Sequence, residues 1–339
     1  MSNTPRFTSL QALRAIGAVL IFIHHSGLQG PLVMSFGDAA VCWFFMLSGF
    51  VMSVRCDALA MPDTQFAEWC RPRAIASFMV SRLRKIAPVY YATLFVMLAL
   101  AAFAVPWPSI LFPVLMLQSW VPSRDVFFAL NGPEWFISSI LFCYLLFRPS
   151  LWVVRRLGSR LAAVCAGLFI IYLVVVATLP DDWVLFGVYI FPPMELPAFL
   201  LGLLVSRLVP RFSQFRRYPS ASIAAAFLLM AAAMFAYRFI PTRFGLSLYW
   251  WLPTMLMLTI LASTDSVRCA ATRILHSRPL VALGDASMIF YLCHIPWIYV
   301  TRILLGKASL SPSPAIVIPV SILLLAILSI SLNRLLRRR

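Results

Sequence analysis

The chain has 339 residues, of which 62% are hydrophobic and 12% charged, against about 45–50% and about 25% in soluble domains. With a mean hydropathy of +0.91, both a water-soluble globule of this size and a disordered chain are excluded. The 28 Lys and Arg against 11 Asp and Glu, a net +17, sit in short islands between apolar runs, so the excess reads as membrane topology and not as a nucleic-acid surface.

Ten apolar segments are long enough, or nearly so, to cross a bilayer as helices: 9–27, 38–54, 87–105, 133–148, 160–179, 193–208, 220–240, 247–263, 280–304 and 314–333. Prolines and small polar clusters separate them. Shorter apolar stretches at 110–121 and 183–191 have the character of re-entrant or interfacial pieces. In the first segment Arg14 interrupts the apolar run, and His24 and His25 stand where a cleavable signal needs small residues, so it is expected to be retained as a helix. With the N-terminus in the cytoplasm, 23 of the 28 basic residues fall on the inner side and five (Arg124, Arg238, Arg243, Arg302 and Lys307) on the outer, a strong positive-inside signal. The expected architecture is an all-α polytopic integral membrane protein of about ten transmembrane helices, with N- and C-termini cytoplasmic. It is a single domain over 1–339, with a cytoplasmic loop at about 55–86 and a basic cytoplasmic tail at 334–339. No internal repeat is visible. The seven cysteines lie mostly inside apolar runs, without CxxC or Cys/His spacing, and read as small hydrophobes with no disulfide framework and no metal site.

Ionisable groups inside a membrane are costly, so each one is a candidate for function. Arg14 and His25 are eleven residues apart. On a helix that is three turns plus about 20°, so both project from one face, separated by roughly 16 Å along the axis. Histidine can take and return a proton near neutral pH. On spacing alone a second reading stands: Arg14 as an interfacial anchor snorkelling to headgroups, with His24 and His25 capping the outer edge. His24 lies about 100° off the shared face, and for it the capping reading is preferred. His294, close before Pro296, either faces the same cavity or satisfies the carbonyl that the proline frees. Asp38 either orients His25 or is a solvated loop acid, the latter preferred. Glu195 and Asp285 are read as structural acids at helix starts, and Tyr249, Trp250 and Trp251 as an interfacial aromatic belt.

Arg14, ten intervening residues and His25 resemble the Arg/Lys-x10-His motif of the membrane acyltransferase-3 family, the polysaccharide O-acyltransferases. Residues 9–15 (SLQALRA) are similar to the family opening. Residues 43–50 (WFFMLSGF) look like its FFxLSGF second span. Arg82, Arg84, Lys85, Ile86, Pro88 and Tyr90 resemble its basic approach to the third span. Trp135 and Phe136, residues 199–202 (FLLG), Leu283 and Gly284 with Ser287, and Tyr291, Leu292 and His294 resemble later landmarks in the right order. The sequence departs from the family where an acid often precedes FF (here Cys42), where a Glu often follows the fourth-span tryptophan (here Ile140, with Glu134 before the tryptophan), and before FLLG.

The resemblance implies an O-acyltransferase that moves an acyl group, by default acetyl, from acyl-CoA (acetyl-CoA) to a hydroxyl of a carbohydrate, such as an exopolysaccharide or lipid-linked glycan, in a bacterial plasma (inner) membrane. It implies His25 and Arg14 as the catalytic pair: His25 as general base, or as a covalent acyl carrier, and Arg14 binding a donor phosphate or stabilising developing negative charge. The donor is made in the cytoplasm and is polyanionic, which makes Arg82, Arg84 and Lys85 the expected donor-binding cluster. The competing reading of that cluster is topology plus attraction to anionic membrane lipid. No metal, no nucleic acid and no fixed oligomeric state is expected. The alternative function is a transporter or flippase for a lipid-linked sugar, with Arg14 and His25 lining its path.

Overall fold

The computed structural model describes residues 7–56 and 60–337. Arg6, Arg338 and Arg339, used in the charge balance, lie outside them, as do the extreme ends of the expected domain and residues 57–59 of the expected loop. Among the described residues every regular element is helical. The principal ones are α1 (Thr8–His25), α2 (Pro31–Arg55), α3 (Pro72–Leu100), α4 (Trp135–Leu157), α5 (Leu161–Thr178), α6 (Pro192–Leu208), α7 (Pro219–Ala236), α8 (Trp251–Thr264), α9 (Arg278–Asp285), α10 (Ser287–Lys307) and α11 (Pro314–Arg337).

Among the described residues, seven segments are long and apolar enough to cross a membrane. They contain eight of the ten expected spans, because 133–148 and 160–179 share the stretch Gly132–Thr178, which breaks at Gly158, where φ is +49°. The other two expected spans are α1, made less apolar by Gln11, Arg14, His24 and His25, and the shorter helix α8. The protein is an all-α, multi-pass membrane protein.

The sequence explains why α1 is central. Leu10, Leu13 and Ile21 are buried in the largest core cluster, while Ala15, Ala18 and Phe22 are buried in a second one against α10 and α11. A helix apolar on more than one face is enclosed by its neighbours, and α1 packs on α2, α9 and α10. Its own N-terminal residue Phe7 supplies no side-chain cap. Asp265, beyond the end of α8, does so instead, accepting from the amides of Thr8 (3.1 Å) and Ser9 (2.6 Å). His276 Nε2 lies 3.1 Å from Asp265 Oδ1 and 3.0 Å from Ser9 Oγ. Both contacts use one ring nitrogen, so this Ser/His/Asp group is an anchor and not a proton relay.

Several expectations change. The stretch 55–86 is not one loop: Asp63–Trp69 is a helix, and residues 72–86 are the first half of the 29-residue α3. The arginines break the hydropathy there, while Phe78, Met79 and Leu83 keep a helical apolar stripe against the core. The pieces at 110–121 and 183–191 form Pro108–Val114 and a π-helical turn Leu185–Ile190, too short to span. Trp250 is not an interfacial residue. It is fully buried, stacked 5.4 Å from Tyr237, and Tyr249 donates to the Ala233 carbonyl at 2.6 Å. Asp38 is not in a loop either: it is buried within α2 and accepts from Tyr237 Oη at 2.5 Å. Asp285 ends α9 rather than starting a helix.

The closest crossing is α2 on α6. A Cβ added to Gly49 would sit 1.9 Å from the Phe199 carbonyl oxygen, and one on Gly202 would sit 1.9 Å from that of Met46. The two backbones touch reciprocally, as small residues allow in membranes. Gly284 makes the equivalent approach to Gln11 of α1, at 2.0 Å. Replacing Gly202 with Ala is therefore expected to cost at least about 1–3 kcal/mol by overpacking, read as a lowered thermal midpoint in lipid nanodiscs. Gly167→Ala, where nothing lies within 4 Å, is the matched control and should leave the midpoint unchanged or slightly raised.

Candidate active site

Two polar clusters lie near opposite ends of α1. The first surrounds a cavity of about 190 Å³ between α1, α2, α3, α4, α9 and α10. Arg14, Arg55 and Arg82 line it, with Ser48, Tyr144, Asp285 and Ser287. Arg82 reaches inward over the rings of Phe78 (4.9 Å) and Tyr144 (5.8 Å). Arg84 and Lys85 are exposed and do not line this cavity. The basic triplet is thus divided by its helix: one member joins Arg14, and two face outward. Arg55 was not singled out in the sequence, where it reads as an ordinary end-of-span cation. Arg337 approaches Asp285 at 3.7 Å, so the C-terminal end of α11 and the N-terminal half of α1 meet at this same end of the bundle.

The second cluster holds His25. It lies partly buried at the C-terminal end of α1, with Nδ1 3.0 Å from the Ile21 carbonyl oxygen and 3.3 Å from His294 Nε2. His294 is fully buried, and its Nδ1 is hydrogen-bonded to the Tyr291 carbonyl. His24 points elsewhere: its ring packs on Gly37 and Nδ1 meets the Val33 carbonyl at 3.1 Å. Asp38 is committed to Tyr237.

Tyr291, with Phe44 and Phe136, separates the two clusters. All three line the cavity, and the Tyr291 ring lies 5.5 Å from that of His294, which does not line it. Tyr291 is fixed by donation to the Pro133 carbonyl at 2.5 Å. His25 itself does not line the cavity. Arg14 and His25 lie on one unbroken helix, but the cavity that Arg14 lines stops at Phe44, Phe136 and Tyr291 and does not include the imidazole.

A turn at residues 131–134 holds this partition. Pro296 lies inside α10 and leaves the Leu292 carbonyl without its helical donor. Asn131 Nδ2 supplies one at 2.9 Å and also donates to Glu134 Oε1 at 2.8 Å. Glu134, 2% exposed, accepts as well from Thr93 at 2.8 Å, and its backbone carbonyl accepts from Gln118. The carbonyl freed by the proline thus belongs to Asn131 and not to His294. Sequence reading missed Asn131 because its partner is 161 positions away.

A cavity with cations at one end of a helix and a paired imidazole at the other suits transfer of a group carried by an anionic donor. The comparisons agree on the class. The family model described as an acyltransferase domain (Acyl_transf_3) matches residues 7–334, so the chain belongs to the acyltransferase-3 family. It is a membrane acyltransferase. A protein of Streptomyces mycarofaciens named acyltransferase MdmB is 28% identical over 324 residues, covering 85% of this chain and 78% of that protein. No solved structure matches.

Asn131 offers a test of how the partition is held. Asn131→Leu removes both donors at once and leaves the Leu292 carbonyl and Glu134 short of a partner. It should lower stability by about 1–3 kcal/mol, measured as the thermal midpoint.

Proposed function

We propose that this acyltransferase moves an acyl group, acetyl by default, from acyl-CoA to a carbohydrate hydroxyl of an exported or lipid-linked glycan, in a bacterial plasma membrane. The observation that carries the reading is the polarity of α1, which offers a guanidinium to the basic cavity at one end and an imidazole to a histidine pair at the other. CoA carries several phosphates, and Arg14, Arg55 and Arg82 against the single carboxylate Asp285 form a lining that suits them. The cavity then belongs on the cytoplasmic side, where the donor is made. Arg84 and Lys85, being exposed, act at longer range on the approaching donor or on anionic headgroups.

His25 is the general base. Its Nε2 takes the proton of the sugar hydroxyl as the hydroxyl oxygen attacks the thioester carbonyl. The carbon–sulfur bond then breaks, and the imidazolium returns its proton to the CoA thiolate. Arg14 lies roughly 16 Å away along α1, too far for the oxyanion, so its task is a donor phosphate. The acyl-bearing arm of the donor has to pass Tyr291 to reach His25, and movement of that ring opens the way.

The experiment uses the full chain in nanodiscs, acetyl-CoA, and glycan extracted from the cell envelope as acceptor. The wild type should release CoA thiol in step with ester formed. His25→Ala should lower turnover by about 10²- to 10⁴-fold while keeping its thermal midpoint; near-normal turnover removes His25 from the mechanism. Arg82→Glu should raise KM for acetyl-CoA by about tenfold, the worth of one charge-assisted contact, with a smaller change in kcat. An unchanged KM would assign Arg82 to topology alone.

A further inference from the structure

His294 has no task in the chemistry described so far, yet it is the fully buried ring in contact with His25. Its place is not explained by the helix break, because Asn131 already satisfies the carbonyl that Pro296 frees. The hydrogen-bond directions around it are fixed by elementary rules. A carbonyl oxygen only accepts, so His294 Nδ1, bonded to the Tyr291 carbonyl, carries the hydrogen. In a neutral imidazole the other nitrogen is then bare, which makes His294 Nε2 an acceptor. The same rule applies to His25. Its Nδ1 faces the Ile21 carbonyl at 3.0 Å and therefore carries the hydrogen, and 3.3 Å away on the same nitrogen lies the bare Nε2 of His294. The two contacts agree in sense: one proton on His25 Nδ1, two acceptors facing it. With the opposite tautomer of His294, two N–H groups would point at each other.

The other polar ring nearby does not compete. His24 stands edge-on to His25, at 4.6 Å between centroids, and its own Nδ1 is engaged by the Val33 carbonyl.

We propose that His294 is a positioning residue of the acyl transfer: together with the Ile21 carbonyl, its bare Nε2 keeps the proton of His25 on Nδ1, so that Nε2 of His25 remains the free base. The inference rests on the reading of His25 as general base. His294 touches no reacting atom. When His25 Nε2 takes the hydroxyl proton, Nδ1–H goes on donating to His294, and the imidazolium is held by an acceptor in place of water. When Nε2 returns the proton to the thiolate, the starting tautomer is restored. His294 stays neutral throughout, and no proton enters or leaves the pair by another route. The arrangement does the work that a buried carboxylate does for a catalytic histidine elsewhere without placing a charge in the membrane.

The two amide residues separate this role from a structural one. An Asn side chain places its amide where Nδ1 stood and can still donate to the Tyr291 carbonyl. A Gln side chain reaches the position of Nε2 and offers an oxygen to His25. The full chain in nanodiscs is assayed with acetyl-CoA and extracted glycan. His294→Asn should lower kcat by about tenfold or more with KM for acetyl-CoA unchanged, and His294→Gln should restore most of the loss. If Asn keeps the wild-type kcat, or if the two variants lose it equally, the proposal is overturned.

A second readout does not depend on turnover. In protein labelled with ¹⁵N-histidine, the wild-type His25 signals, assigned by their disappearance in His25→Ala, should show a protonated Nδ1 and a bare Nε2. The reverse tautomer, or an even mixture, overturns the proposal. The expected tautomer together with full turnover by His25→Ala would instead overturn the general-base reading and leave the tautomer assignment standing.

Discussion

The missing amide of Pro296 sets the arrangement of the site. Hydrocarbon offers no water to a freed carbonyl, so a broken membrane helix needs a donor from its own protein. Asn131 is that donor, and its choice has consequences along the chain. It brings the turn at 131–134 against α10, where Pro133 accepts from Tyr291 and Glu134 is held by Thr93 and Gln118. The Tyr291 ring thereby packs among those of Phe44, Phe136 and His294. One helix break decides the position of both the partition and the second histidine.

Charge is distributed with the same economy. The guanidiniums gather at one end of α1, and neutral rings gather at the other. Over roughly 16 Å, at an effective dielectric near 20, one cation acts on the imidazole with only about 1 kcal/mol. Had Arg14 stood beside His25, its charge would oppose the imidazolium that a base must become. The helix therefore keeps apart the two tasks of the proposed mechanism, which need opposite fields: gathering an anionic donor, and accepting a proton. The cation end also lies where α1 meets α9 through the close approach of Gly284 to Gln11, so the wall that carries Arg14 and Asp285 is rigid.

Periodicity carried a good part of this into the sequence. The eleven-residue interval between Arg14 and His25 is visible because a helix repeats every 3.6 residues, and the apolar runs are visible because lipid tolerates little else. The close approach made by the glycines of the SGF and FLLG segments appeared only with the structure. What stayed hidden was long-range pairing. Asp265 caps α1 from 256 positions away, His294 meets His25 from 269, and no local pattern records such distances. A second kind of failure came from hydropathy itself. Arg82 and its neighbours made half a helix look like a loop, because a half-buried cation packed on Phe78 and Tyr144 lowers the average as much as a solvated one. Trp250 was misjudged for the complementary reason: an aromatic near a span end reads as an interfacial anchor whether or not other rings enclose it.

The partition at Tyr291 gives the protein a property that an open passage would lack. Under the proposed function, a thioester bound on one side has to be kept from water, since water is itself a competing acceptor. A continuous hydrated path from the Arg14 cavity to His25 would also carry protons across the bilayer beside a residue suited to relaying them. Packed aromatic rings between the two clusters answer both demands of the proposed chemistry. The hold on Tyr291 fits this use, for its phenol is tied by a hydrogen bond to the Pro133 carbonyl, a restraint that side-chain rotation can break and remake without unfolding the helix that carries it. Under the proposed function a wider pore would bring the reactants together more easily but would leave the thioester open to water, which the packed ring of Tyr291 keeps out.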